Sequence, residues 1–184
     1  MSFWRHLVRQ GRKEHSASAR LAAIACESLV LVLGIPAFLV WSAGLGSDRW
    51  RFHMPLPVFV ICLVVAVLGL LLGLWTVWVQ FRHARGTPIP VMATQRLLTD
   101  GPYCLCRNPM AFGTLVFYFG IAICTQSFIP LLVVVLFGIG LVTLIKCGEV
   151  KELFLRFGDE YLRYKQRTPF LIPRFTFLRR KSRP

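Results

Sequence analysis

Two stretches of the 184-residue chain combine residue types that could do chemistry. The first is Gly101-Pro-Tyr-Cys-Leu-Cys-Arg-Asn-Pro-Met-Ala-Phe-Gly113. Pro109 suits the first turn of a helix, where its missing N–H costs nothing. The unpaired N–H groups of such a turn favour an anion or carboxylate. Arg107 adds a fixed positive charge beside them, and Gly113 permits close backbone approach. The second stretch runs from Glu149 to Tyr164 and continues as Arg167-Thr-Pro-Phe-Leu-Ile-Pro173. Glu149 can accept hydrogen bonds or face a cation. Tyr161 and Tyr164 offer π-faces that attract a sulfonium or ammonium. Each stretch also has a plainer reading. The first can be a basic anchor before a helix start, and the second an interfacial helix with aromatic anchors and i,i+4 pairs such as Glu152–Arg156.

The elements that must position these residues are membrane spans. Hydrophobic residues make up 55% of the chain and charged residues 16%; mean hydropathy is +0.60. A soluble domain carries about 25% charged residues. The apolar residues fall in blocks long enough for a bilayer, which excludes a soluble core, a disordered chain and a disulfide-stapled scaffold. The reading is an all-α membrane protein with four transmembrane helices at about 21–41, 57–81, 110–127 and 128–145. Pro36 predicts a kink in the first. Residues 110–145 carry no charge; a single helix of that length would run about 54 Å. Gln126, Ser127 and Pro130 mark its midpoint, so a tight hairpin is expected. A basic N-terminal segment, 1–20, precedes the spans, with an interfacial helix or a frayed tail equally compatible with it. A loop, 82–109, joins the second and third spans, and a segment at 146–184 follows them. That last segment turns amphipathic, with Val150, Leu153, Phe154, Phe157, Tyr161 and Tyr164 on one stripe and Gly158 as a candidate break.

The net charge of +14 is distributed by side. The N-terminus holds 5 Lys and Arg, the 82–109 loop 4 and the tail 11, against 2 in the 44–56 loop. This is the positive-inside pattern; it favours both termini and the long loop in the cytoplasm, and it argues for lipid rather than nucleic acid as the anionic partner. Both chemical stretches then share one face. Cys104 and Cys106 form a C-x-C without a His pair at ligand spacing, so no metal site is expected. Glu27 lies inside the first span. Such a residue is costly and often functional; it either reaches the interface or faces an acceptor site.

Gly101-Pro-Tyr103 followed by Arg107-Asn-Pro-Met-x-x-Gly113 resembles the G-[PL]-Y-x-x-x-R-[HN]-P-x-Y-x-G motif of the isoprenylcysteine carboxyl methyltransferase family and related phospholipid methyltransferases. The run Glu149, Leu153, Phe157-Gly158, Glu160-Tyr161 and Tyr164, then Pro169 and Ile172-Pro173, resembles that family's C-terminal motif. Gly86-Thr-Pro-Ile-Pro90 is similar to a stretch of its bacterial members, which implies a bacterial inner membrane. The likeness covers roughly residues 82–174. It implies an integral-membrane methyltransferase using S-adenosylmethionine, enclosed by the long loop and the C-terminal segment, and acting on a lipophilic acceptor. By position, Tyr103, Arg107, Asn108, Pro109, Gly113, Glu149, Tyr161 and Tyr164 would bind the cofactor. Glu149 would serve as base for an amine acceptor, and Arg167 would orient a carboxylate. The chain departs from the pattern at Ala111, where the family has Tyr, at Val150, where many members have a second Glu, and at Cys104, where Arg is common. Two other classes stay open: an NADPH-dependent membrane sterol or enone reductase, which shows a similar Asn-Pro stretch, and a small four-span transporter or subunit using Glu27.

Overall fold

A computed structural model describes residues 17–84 and 96–174. The basic residues before Ala17, the Gly86–Pro90 stretch and the Arg179–Arg183 cluster lie outside the described residues. Within them the chain is helical, with no strand and one isolated bridge, Arg51 to Ser127. The α-helices are α1 (Ala17–Leu29), α2 (Ile35–Ser42), α3 (Leu56–Val79), α4 (Pro109–Cys124), α5 (Phe128–Leu144) and α6 (Val150–Arg167). Among the described residues, three helical stretches are long and apolar enough to cross a membrane: Ile24–Leu45, Leu56–His83 and Phe128–Cys147. The fourth apolar helix, Pro109–Cys124, is shorter. Exposed Leu63, Leu68, Leu136 and Leu144 present the apolar surface that a bilayer would cover.

The expected disturbance at Pro36 takes the form of a π-helical turn, Val30–Gly34, between α1 and α2. Ile35 N–H donates to the Val30 carbonyl, five residues back. In that register Pro36 has no N–H for the Leu31 carbonyl. The Tyr118 hydroxyl supplies the missing donor at 2.8 Å. A proline in one helix is thereby matched by a tyrosine in another. Tyr118 also anchors the core with Leu39, Ala122 and Val134, all nearly without exposure.

α3 and α4 pack backbone to backbone. A Cβ on Gly69 would lie 2.7 Å from the Phe117 nitrogen, and one on Gly113 would lie 2.7 Å from the Gly69 oxygen. Ala66 and Gly120 repeat the close approach farther along. Small residues allow such contact in a membrane, where packing rather than hydrophobic burial drives association. The α4–α5 hairpin turns at Gln126, whose φ is 54°. Its carbonyl accepts from Phe52 N–H at 3.0 Å, and Phe52 and Phe128 pack ring to ring. One uninterrupted 110–145 helix is thus excluded. α6 carries a break at Gly158, with φ 51° and ψ −124°. Phe154 is exposed while Tyr161 and Tyr164 are buried, because the break ends the continuous stripe.

Candidate functional site

A short 3-10 turn, Gly101–Cys104, follows the long loop and lies against the end of α3. Gly101 has φ +62° and sits beside Val79 and Trp75, a turn conformation glycine adopts without strain. Pro102 and Tyr103 are buried behind it. Asn108 is the N-cap residue of α4, yet its side chain makes no cap bond. Its amide Nδ2 instead donates to the Phe170 carbonyl at 2.8 Å. Pro109 occupies the first turn and is buried, as its residue type predicts.

The two stretches with chemical potential are joined by a clasp of hydrogen bonds. Arg107 N–H donates to the Pro169 carbonyl at 2.8 Å, and its Nε donates to the Thr168 carbonyl at 3.2 Å. Nη1 of Arg107 donates to the Tyr161 hydroxyl at 3.2 Å. The Tyr164 hydroxyl donates to the Tyr103 carbonyl at 2.7 Å. Arg174 N–H donates to the Leu105 carbonyl at 3.0 Å. The last turn of a helix leaves carbonyls without intrahelical donors, and cations are favoured there. Arg107 answers both needs at the end of α6. Its guanidinium carbon also lies 5.5 Å from the Phe170 ring centroid, and Lys146 Nζ lies 5.3 Å from that centroid.

Of the residues singled out by sequence, Tyr103, Arg107, Asn108, Pro109, Tyr161 and Tyr164 are thus brought into one cluster. Gly113 is one turn into α4 and lies against Gly69 and Gly73. Arg167 is exposed and lines a separate outer groove of about 450 Å³ with Thr99, Cys104, Glu160, Arg163 and Thr168. Tyr164 also borders that groove. Glu149 ends the π-helical turn Ile145–Glu149; its side chain lies outside what is described. Glu27 is buried, not lipid-facing.

Burial governs the ionisation of the cluster. It pushes the Cys106 thiol up from 9.0 to about 11, against a smaller opposing effect of a backbone hydrogen bond at Asn108. A thiol so held is neutral and a poor nucleophile or ligand. Burial, with Tyr103 and Cys106 adding to it and Arg107 opposing, also raises Tyr164 well above the ordinary tyrosine range. Its hydroxyl therefore stays a donor. Sequence reasoning missed Phe170 and Lys146. An aromatic residue between two prolines, directly after a basic amphipathic helix, was the available signal.

Residues 59–159, more than half of the chain, match the phospholipid methyltransferase family. The match spans α3, the first half of the clasp, the α4–α5 hairpin and the start of α6. That family match and the long apolar helices together indicate a membrane methyltransferase. The chain belongs to the phospholipid methyltransferase family. No curated protein matches it.

Proposed function

We propose that this chain is a four-span membrane enzyme that transfers a methyl group from S-adenosylmethionine to a lipophilic acceptor, with both termini and the clasp on the cytoplasmic side. The observation that carries the reading is the clasp itself. It joins the segment before α4 to the segment after α6, the two regions whose motifs resemble those of membrane methyltransferases.

The residues present suit such a donor. Because Asn108 turns its side chain to Phe170, the first-turn N–H groups of α4 have no side-chain cap, which favours a carboxylate there. In the proposed site Tyr103, Asn108 and the start of α4 at Pro109 hold the donor. Arg107, Tyr161 and Tyr164 close the second segment over it, and Gly113 lets α4 lie close on α3. Glu149 contacts the donor and takes a proton from an amine acceptor, a role that needs reach rather than nucleophilicity. Arg167 holds a carboxylate or phosphate of the acceptor in the outer groove. When bound, S-adenosylmethionine supplies a methyl already activated by its sulfonium. The protein's share is alignment and exclusion of water; positioning alone contributes up to several powers of ten in rate.

The test is incubation of the purified chain with isotopically labelled methyl donor and a total lipid extract, followed by mass spectrometry. Label in a lipid-soluble product, lost in Glu149→Gln and retained in Gly140→Ala, supports the assignment. Binding of NADPH with no label transferred would turn the reading to a reductase.

A further inference from the structure

Phe170 is approached by cations from two different elements. The Arg107 guanidinium carbon lies 5.5 Å from its ring centroid, and Lys146 Nζ lies 5.3 Å from it. Arg107 precedes α4, whereas Lys146 stands in the π-helical turn Ile145–Glu149 that follows α5. Two like charges held beside one ring repel each other, and a cation–π contact at a partly exposed ring is weak. Among the described residues no carboxylate pairs with either cation, and neither the Lys146 ammonium nor Nη2 of Arg107 has a hydrogen-bond acceptor. The described residues gather two positive charges and supply nothing to neutralise them.

Their place relative to the bilayer points to the kind of anion. Lys146 is exposed and next to last in the apolar span Phe128–Cys147, where a helix leaves the hydrocarbon and meets lipid phosphates. Leu136, Ile139 and Leu144 are exposed along α5, so lipid lies beside that helix up to Lys146. Lysine at such a boundary often serves as a plain anchor. Lys146 differs in that its ammonium lies over Phe170, a member of the clasp. The Phe170 carbonyl accepts from Asn108, and the carbonyls of Thr168 and Pro169 just before it accept from Arg107. The pair of charges also sorts headgroups. A phosphate that carries only neutral groups is attracted by both cations, whereas an ammonium on the same headgroup is repelled by them.

We propose that Lys146, Phe170 and Arg107 form a binding site for the phosphate of an anionic, ammonium-free phospholipid at the bilayer surface on the clasp side. Phosphate oxygens accept from the Lys146 ammonium and from Nη2 of Arg107. The bound headgroup removes a repulsion that otherwise works against the clasp. This lipid is a ligand of the clasp rather than a methyl acceptor, so the site does not rest on the proposed methyl transfer.

The test is titration of the detergent-solubilised full chain with phosphatidylglycerol, phosphatidylcholine or inorganic phosphate. Retained lipid is read by native mass spectrometry, and the thermal unfolding midpoint is followed beside it. Wild type holds phosphatidylglycerol about tenfold more tightly than phosphatidylcholine, and its midpoint rises with the first lipid. Lys146→Gln weakens phosphatidylglycerol binding about fivefold, the share of one cation at an anionic lipid, and Lys146→Arg restores it. Phe170→Leu keeps the carbonyl that Asn108 bonds and removes the ring, so it weakens binding by a smaller factor. Lys165→Gln, at an exposed lysine of α6, is without effect. All variants keep their circular dichroism. Equal affinity in wild type and Lys146→Gln overturns the proposal, as does equal retention of the two lipids. A midpoint raised as far by inorganic phosphate as by phosphatidylglycerol gives the site to a soluble anion and overturns the lipid assignment. S-adenosylhomocysteine binding is followed on the same samples. Loss of that binding in Lys146→Gln with lipid retention unchanged assigns the cations to the methyl donor, and the proposal fails. Lipid selection through Lys146 without any S-adenosylhomocysteine binding removes the methyltransferase reading and keeps the lipid site.

Discussion

Arg107 makes three hydrogen bonds to the far segment, one through its backbone and two through its guanidinium. Hydrogen bonds to a charged group contribute about 1.5–3 kcal/mol each. Arg107→Ala is expected to lower the stability of the detergent-solubilised protein by about 2 kcal/mol on that basis. Arg107→Lys recovers only part, because an ammonium cannot present the planar fork. Thermal unfolding of both variants checks the order. Cys106 gives a pH dependence with a definite sign. The unfolded thiol loses its proton near 9.0 and the folded one near 11. The contribution is therefore whole below pH 9.0 and is lost as pH rises through about 11. Tyr164 acts in the same direction at still higher pH. Unfolding midpoints between these values should fall less steeply in Cys106→Ala than in wild type; parallel slopes would show that the thiol is not the group involved. At Gly158, φ 51° and ψ −124° lie where a side chain is strained, although space around it is open. Gly158→Ala should destabilise the α6 break by about 1–3 kcal/mol through backbone conformation alone, seen as faster proteolysis within 150–167.

At the scale of elements, α3 and α4 form the tightest pair in the bundle. Gly69→Val drives a side chain into the Phe117 nitrogen and the Gly113 oxygen, so it should separate the helices and cost about 1–3 kcal/mol or more. Gly73→Ala, one turn away, should be neutral or slightly stabilising, since helix propensity improves and nothing is struck. Melting temperatures of the two variants give the comparison. Much of this layer was legible in the sequence. The uncharged run at 110–145 with Gln126, Ser127 and Pro130 at its centre encodes the hairpin, and Pro36 encodes an interruption. The form of that interruption was not legible. In the π-helical turn the Leu31 carbonyl takes its donor from Tyr118, 87 positions away along the chain. Likewise Gly113 reads in sequence as a place for close approach, but only the packed structure supplies Gly69 and Gly73 as what approaches.

At the scale of the molecule, the two motifs meet because the hairpin returns the chain to the end of the bundle from which it left. Their convergence was legible as an even number of apolar blocks between two basic segments. The way they join was not. Arg107 and Tyr161 read as isolated groups facing a ligand, whereas in the folded chain they bond to each other, and carbonyls of Thr168, Pro169 and Phe170 complete the clasp. Backbone acceptors carry no residue signature, so no pattern of side chains announces them. The proposed consequence is a donor site whose affinity depends on the clasp being closed. Titration calorimetry with S-adenosylhomocysteine on the detergent-solubilised full chain, beside Arg107→Ala and Asn108→Ala, tests this most directly. The expected result is saturable binding to wild type, with both variants weaker by about tenfold, the loss of about 1.4 kcal/mol, and all three samples still folded by circular dichroism. Equal affinity in the three proteins, or no binding to wild type alongside clear binding of NADPH, would contradict it.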